Sequence, residues 1–287
     1  MFKFWMYKLA AFCVNHLPSE ISYHVGVFLS DLHYLFSFRD RRLVKNNLRV
    51  LLGTDKDLSP LVREVFRNFG RYLVEFFRMA RHLDLNFIQE KVNVKNLEYI
   101  EDVLAKGKGG VLVSGHIGNW ELGAAIISLM GYPPTVIALP HKERPVNDLF
   151  NYQRQMKGIT VVPAANSVRK SIETLKGNGI VALNVDRDFS ANGEVLDFFG
   201  KKTLIPKGAA IFSCKTGAAI IPMFLIRESN YSFTLEVYKP IYPPKISEGT
   251  VDDSSLTELM KQYIKIIEDK IRQYPTQWLM FREFWIK

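Results

Sequence analysis

"GKGGVLVSGHIGNWELGAAII", residues 107 to 127, decides how this chain folds. An apolar run, Val111–Ser114, stops at Gly115, and a second glycine, Gly118, follows before an apolar helical stretch begins at residue 120. The order reads as strand, glycine turn, helix, with His116, Asn119, Trp120 and Glu121 gathered where the turn must be. His116 and Glu121 are five residues apart, which on one continuous helix places them about 140° around the axis. Across a strand-to-helix turn the two can instead fold toward each other. Glycines give the backbone that freedom, and a carboxylate suits the positive end of the helix.

The rest of the chain extends this unit. Val- and Ile-rich runs at Thr135–Leu139, Ile159–Val162, Ile180–Val185, Ala218–Ile226 and Tyr231–Tyr238 alternate with helical stretches at 96–105, 120–130, 144–157, 166–177, 206–216 and 254–273. Such alternation predicts a largely parallel mixed sheet flanked by helices, an α/β fold. Upstream, residues 59 to 81 carry a helical stripe of Leu61, Val65, Phe69, Leu73 and Phe76/Phe77 with Arg and Glu opposite, and Ser59 before Pro60 suits an N-cap. The expected organisation is a helical, membrane-associating region over 1–85 and one integrated α/β core over 86–287.

Composition narrows the class. The chain has 287 residues, 47% of them hydrophobic, and includes 20 Phe, 12 Tyr and 4 Trp, which suits contact with lipid or acyl chains. A net charge of +9 implies an anionic partner. The densest basic stretch, "FRDRRLVKNNLR" at 38–49, follows two apolar segments and favours a membrane surface; no nucleic-acid-binding motif is present. The two cysteines form neither a metal spacing nor a disulfide framework, so no metal is expected. The first 18 residues lack a signal-peptide cleavage pattern, and no stretch of about 18 apolar residues occurs. "ISYHVGVFLSDLHYLFSF" comes near that length but carries His24, Asp31 and His33. Both N-terminal segments read as helices lying on or dipping into a membrane face, with a single N-terminal span as the alternative.

A histidine held by a carboxylate is equipped as a general base. His116 is the candidate base and Glu121 its orienting group. Asn119 suits a helix cap and Trp120 a packing partner beneath the imidazole. No serine or cysteine sits in a nucleophile elbow, which points to direct attack by a substrate hydroxyl. Asp186, at the end of "IVALNV", reaches the same sheet edge and suits positioning of an acceptor or pairing with Arg154. Arg154, on the helix before the third strand, suits a phosphate or an oxyanion.

"GHIGNWELG" resembles the H-x4-D/E motif of glycerolipid-type acyltransferases, and its extended form resembles the late acyltransferases of lipid A biosynthesis, the lauroyl/myristoyl acyltransferase family. "RDRRLVKNNLRVLLG", "NVDRDFSANGEVLDFFGKKTLIPKGAAIFSCKTGAAIIPMF" and "YPTQWLMFREFW" resemble that family as well, so the likeness covers about residues 39 to 285. It implies transfer of a fatty acyl group from acyl carrier protein or coenzyme A to a hydroxyl of a lipid A precursor or related anionic membrane glycolipid. The place implied is the cytoplasmic face of the inner membrane, with no cofactor beyond the acyl thioester substrate. Arg154 matches an arginine of the family. Arg187 departs from it, because Gln or His often follows the aspartate there, and this points to a different acceptor headgroup. Asn119, Trp120, Arg154, Asp186 and Arg187 are the expected substrate-binding set. Two other readings remain: a non-catalytic lipid-binding scaffold, which a separated His116 and Glu121 with no apolar groove beside them would favour, and an acyltransferase for another glycolipid, such as a mannosylated or aryl-polyene lipid.

Overall fold

In the computed structural model the described residues are 2–54, 56–188, 192–244 and 253–286. The 107–127 stretch forms strand β2 (Gly110–Ser114) and helix α7 (Trp120–Leu129), joined by the expected turn. Four helices precede it: α1 (Phe2–His16), α2 (Ser19–Phe36), α3 (Phe38–Leu52) and α4 (Ser59–His82). A short α5 (Leu85–Lys91), strand β1 (Val92–Lys95) and α6 (Glu98–Leu104) lead into β2. Beyond α7 come β3 (Pro134–Ala138), α8 (Arg144–Gln155), β4 (Thr160–Pro163), α9 (Ser167–Lys176) and β5 (Ile180–Asn184). A hairpin of β6 (Glu194–Phe198) and β7 (Lys201–Ile205) precedes α10 (Gly208–Thr216), β8 (Ala219–Arg227), β9 (Phe233–Val237) and α11 (Asp253–Gln273).

The main sheet has the order β1-β9-β8-β2-β5-β3-β4. Its pairs are parallel except β8 with β9, so the expected largely parallel mixed sheet flanked by helices is the observed one. Strand β8 is buried along its whole length, as a strand covered on both faces must be. One apolar core lies on each face. Val111 and Val113 of β2 point into the core with α10 and α11, whereas Leu112 points into the core with α4, α7 and α8.

Helix α4 is buried on more than one stripe. Val62, Val65, Phe66, Tyr72, Phe76, Phe77 and Met79 are all covered, because α1, α2, α3, α7 and α8 all pack against α4. Ser59 is the first residue of α4 rather than its cap; both its N–H and its hydroxyl donate to Asp57 Oδ1, at 3.0 and 2.6 Å. Helices α2 and α4 cross at glycines. A Cβ on Gly70 would lie 2.1 Å from Ser30 Oγ and 2.5 Å from the carbonyl oxygen of Gly26. Asp31, the acidic residue that breaks the apolar run of α2, receives bidentate hydrogen bonds from both Arg63 and Arg67 of α4, at 2.8–2.9 Å. These two guanidinium groups hold its carboxyl well below the usual carboxylate range. Among the described residues no helix is long and apolar enough to cross a membrane.

Candidate active site

Sheet register builds the site. Strands β2 and β5 are parallel neighbours, with Ser114 opposite Asn184. His116 and Asp186 each lie two residues beyond those paired ends, so both emerge side by side at the carboxyl edge, where open α/β sheets place their sites. His116 Nδ1 lies 2.6 Å from Asp186 Oδ1, and the backbone N–H of His116 donates to Oδ2 at 2.8 Å. Trp278, beyond α11, donates its indole N–H to the same Oδ2 at 3.1 Å. Asp186 is fully buried, so it is an ionised acceptor whose hydrogen bonds come from three directions. Burial alone would raise its pKa, but the facing imidazole, the neighbouring Arg187 charge and the His116 N–H bring it down to about 2.

The turn is fixed from two sides. Gly118 adopts φ +61°, and a Cβ there would lie 2.0 Å from the carbonyl oxygen of Leu225 on β8. The amide N–H of Asn119 donates to that same carbonyl at 2.9 Å, and the N–H of Gly118 to Gln277 at 3.0 Å. Leu279 N–H closes the pairing by donating to the His116 carbonyl at 2.8 Å. The segment at 277–279 therefore acts as an added edge for the turn that carries His116.

Asn119 caps α7, accepting from Leu122 N–H at 3.0 Å. It is fully buried and donates to Glu75 Oε2 at 2.7 Å, so it lies under the turn and is not among the residues that line the neighbouring cavity. Glu75 is bound in turn by both Nε and Nη2 of Arg227, and Tyr23 of α2 donates to it at 3.1 Å. This buried cluster ties α2, α4 and β8 to the base of the turn. Trp120 meets the imidazole edge-on with ring centroids 4.7 Å apart and stacks on Tyr72 at the same distance.

Glu121 does not take a ring nitrogen of His116. Its two oxygens accept from Arg154 Nη2 and Nε at 2.6 and 2.8 Å, a buried bidentate pair between α7 and α8. The expected partners are thus exchanged: Asp186 holds His116, and Arg154 pairs with Glu121 rather than with Asp186. Register is the reason. β5 delivers Asp186 directly beside His116, whereas the first turn of α7 carries Glu121 toward α8. Burial would raise the Glu121 pKa, but Arg154 lowers it overall. Arg187 follows Asp186 and is partly buried.

A carboxylate at Nδ1 fixes the neutral tautomer with its proton on that atom and leaves Nε2 to accept. Burial pushes the His116 pKa below the usual histidine value; Asp186 opposes that shift and Arg187 adds to it. Beside the imidazole opens a cavity of about 990 Å³. Leu112, Gly123, Ala124, Val136, Met223 and Leu225 give it an apolar wall, and Tyr7, His33 and Asp40 bring α1, α2 and α3 to its border.

The sequence of the whole chain, residues 1–287, matches the family model described as bacterial lipid A biosynthesis acyltransferase. The chain belongs to that family. Among similar curated proteins is the phosphatidylinositol mannoside acyltransferase of Mycolicibacterium smegmatis, 27% identical over 91% of this chain and 84% of its own. The protein of that name from Mycobacterium tuberculosis is 26% identical over 98% and 88%. The lipid A biosynthesis lauroyltransferase of Escherichia coli is 22% identical over 96% and 88%. A solved structure, the 1-acyl-sn-glycerophosphate acyltransferase PlsC of Thermotoga maritima, aligns with 91% of this chain and 99% of its own at TM-score 0.40 and 16% identity.

In this acyltransferase, sequence reasoning missed Trp278, Gln277, Glu75 and Arg227. Gln277 and Trp278 stand inside a stretch that resembles the family, and that was their only signal. Glu75 reads as part of a solvated helix face, and nothing local reveals that Arg227 meets it across 152 residues.

Proposed function

We propose that the protein transfers a fatty acyl group from an acyl thioester to a hydroxyl of a membrane glycolipid, by direct attack with His116 as general base. The observation that carries this reading is the His116–Asp186 pair opening onto an apolar cavity, with Nε2 left to accept. The acceptor hydroxyl gives its proton to Nε2 while its oxygen bonds to the thioester carbonyl carbon. The tetrahedral intermediate collapses with cleavage of the C–S bond, and the imidazolium returns the proton to the leaving thiolate. Asp186 stabilises the imidazolium between these steps. A proton acceptor so placed contributes about 10²–10⁴-fold in rate. The apolar wall suits the acyl chain, and either acyl carrier protein or coenzyme A can present it. The curated relatives named for lipid A and for phosphatidylinositol mannoside support a glycolipid acceptor, anionic in keeping with the +9 charge.

The place of action in this reading is a membrane surface, the cytoplasmic face of an inner membrane, with α1 and α2 lying on it. Trp5, Leu9, Phe12, Phe28, Leu35 and Phe36 are exposed there. A non-catalytic scaffold fits poorly, because it needs neither the base nor its carboxylate.

His116→Ala is expected to leave the circular dichroism spectrum unchanged and to remove transfer of a radiolabelled acyl chain to extracted membrane lipids. Turnover near wild type would sink the mechanism.

A further inference from the structure

Asp186 meets the imidazole with Oδ1 and is itself held at Oδ2. Two N–H groups reach Oδ2, the backbone amide of His116 at 2.8 Å and the indole of Trp278 at 3.1 Å. The first belongs to the residue that the carboxylate orients, so of these two only Trp278 ties Asp186 to a separate element. Trp278 is buried and is not among the residues that line the cavity, so it acts through Asp186. Its neighbours grip the same turn. Gln277 exchanges two hydrogen bonds with the backbone of Arg227 on β8, at 3.1 and 2.9 Å. Leu279, which donates to the His116 carbonyl, accepts from Arg187. The chain then runs on as a strap. The buried Asn47 of α3 donates to the carbonyls of Met280 and Arg282, at 2.9 and 3.1 Å, and Ile286 N–H donates to Lys202 of β7 at 3.0 Å.

We propose that Trp278 is a positioning residue for proton transfer at His116: its indole N–H fixes the plane of the Asp186 carboxylate, and Asn47 holds the strap that presents it. This role rests on the acyl-transfer reading above. A hydrogen bond to an ionised, buried acceptor is stronger than one between neutral groups, and a carboxylate anchored twice at one oxygen cannot turn without losing both bonds. With the indole N–H removed, the His116 amide still keeps the carboxylate beside Nδ1, but less rigidly, so fewer encounters find the base in place. The carboxylate, with one donor fewer, also supports the imidazolium more strongly. The other charges that act on His116, those of Arg187 and Glu121, are untouched. The loss therefore has two signs, a lower kcat and an acid limb at higher pH.

Trp278→Phe removes the N–H and keeps an aromatic ring among Phe198, Phe199 and Phe284, whose centroids lie 5.4–6.1 Å from that of Trp278. The test measures kcat, and KM for palmitoyl-coenzyme A, from acid to neutral pH with vesicles of extracted membrane lipid as acceptor. Trp278→Phe is expected to lower kcat about 10–100-fold with KM little changed, and to move the acid limb to higher pH. Asn47→Ala should do both to a smaller degree. A Trp278→Phe enzyme whose melting temperature falls while kcat and the limb stay in place marks the ring as packing and overturns the proposal. A normal profile in Asn47→Ala removes α3 from it. The indole signals give a reading that needs no turnover. In nitrogen-15-labelled protein, one of the four tryptophan N–H resonances should move upfield on Asp186→Asn, and four unmoved resonances would overturn the contact even if Trp278→Phe does not fold. If wild type transfers no acyl group while that resonance does move, the acyl-transfer reading falls and the role in proton transfer with it, although the contact stands.

Discussion

Asp186, not Glu121, meets the ring nitrogen of His116, and the two carboxylates should fail in different ways when altered. Asp186→Asn keeps the size of the side chain but offers an amide to Nδ1. That favours the wrong tautomer and withdraws support from the imidazolium, so kcat should drop by roughly 10³–10⁴ with little change in melting temperature. Glu121→Gln leaves the Arg154 guanidinium buried without its counter-charge, a loss of about 3–5 kcal/mol in stability. Urea unfolding and single-turnover acyl transfer on the two variants separate these effects. A Glu121→Gln enzyme of normal stability and no activity would reverse the assignment. The pH profile carries the same logic. The proposed mechanism needs unprotonated Nε2, and burial holds His116 below its usual pKa, so kcat/KM should stay level through neutral pH and fall only below about 6.5. Residue types alone made His116 a candidate, because a polar cluster with glycines where a turn is needed breaks an apolar strand there. They could not choose between two carboxylates, because that depends on which strand lies beside β2.

At the scale of elements, strand and helix positions were readable from periodicity, and each run quoted from Val111 to Tyr238 overlaps an observed strand. The exceptions were β1, β6 and β7. β1 has only four residues, and β6 and β7 carry exposed polar residues that mask alternation. Strand order was not readable, since no local pattern says that β5 crosses back beside β2. Nor was the burial of α4, whose Glu75 and Asn68 look like a solvated face until Arg227 reaches both. The glycines of the α2–α4 crossing carry a prediction of their own. Gly70→Leu would drive a side chain into Ser30 Oγ and the Gly26 carbonyl, where contact is already closer than any real Cβ tolerates. Overpacking of this kind destabilises by about 1–3 kcal/mol. Because backbone is involved, α2 should separate locally from α4, read as accelerated hydrogen exchange across 19–36 while the sheet stays protected. Unchanged exchange in α2 would show that the crossing is loose.

For the whole molecule, the site and the exposed apolar helices share one border. Tyr7 of α1, His33 of α2 and Asp40 of α3 line the cavity beside His116, and the outward sides of the same helices expose Phe12, Phe28, Phe36 and Phe38, the last two at 78% and 74%. Arg39, Arg41, Arg42 and Lys45 follow on α3. An interfacial helix needs this combination, apolar side chains for the acyl region and cations for anionic headgroups. A protein resting on these helices would bring the cavity mouth to the lipid surface, so an acceptor need not leave the bilayer fully to reach His116. The combined variant Phe28→Ser/Phe36→Ser/Phe38→Ser should keep its fold, since none of the three is buried. If each ring contributes about half of a full phenylalanine burial, roughly 1 kcal/mol apiece, its partition onto vesicles with 30% anionic lipid should weaken by about 10²-fold. Transfer to a detergent-dispersed acceptor should change far less than transfer to the same acceptor in vesicles. Raising salt should weaken both proteins further by screening the α3 cations. Sedimentation with vesicles that matches wild type at every salt concentration would place the membrane contact on another face and detach the cavity mouth from the lipid surface.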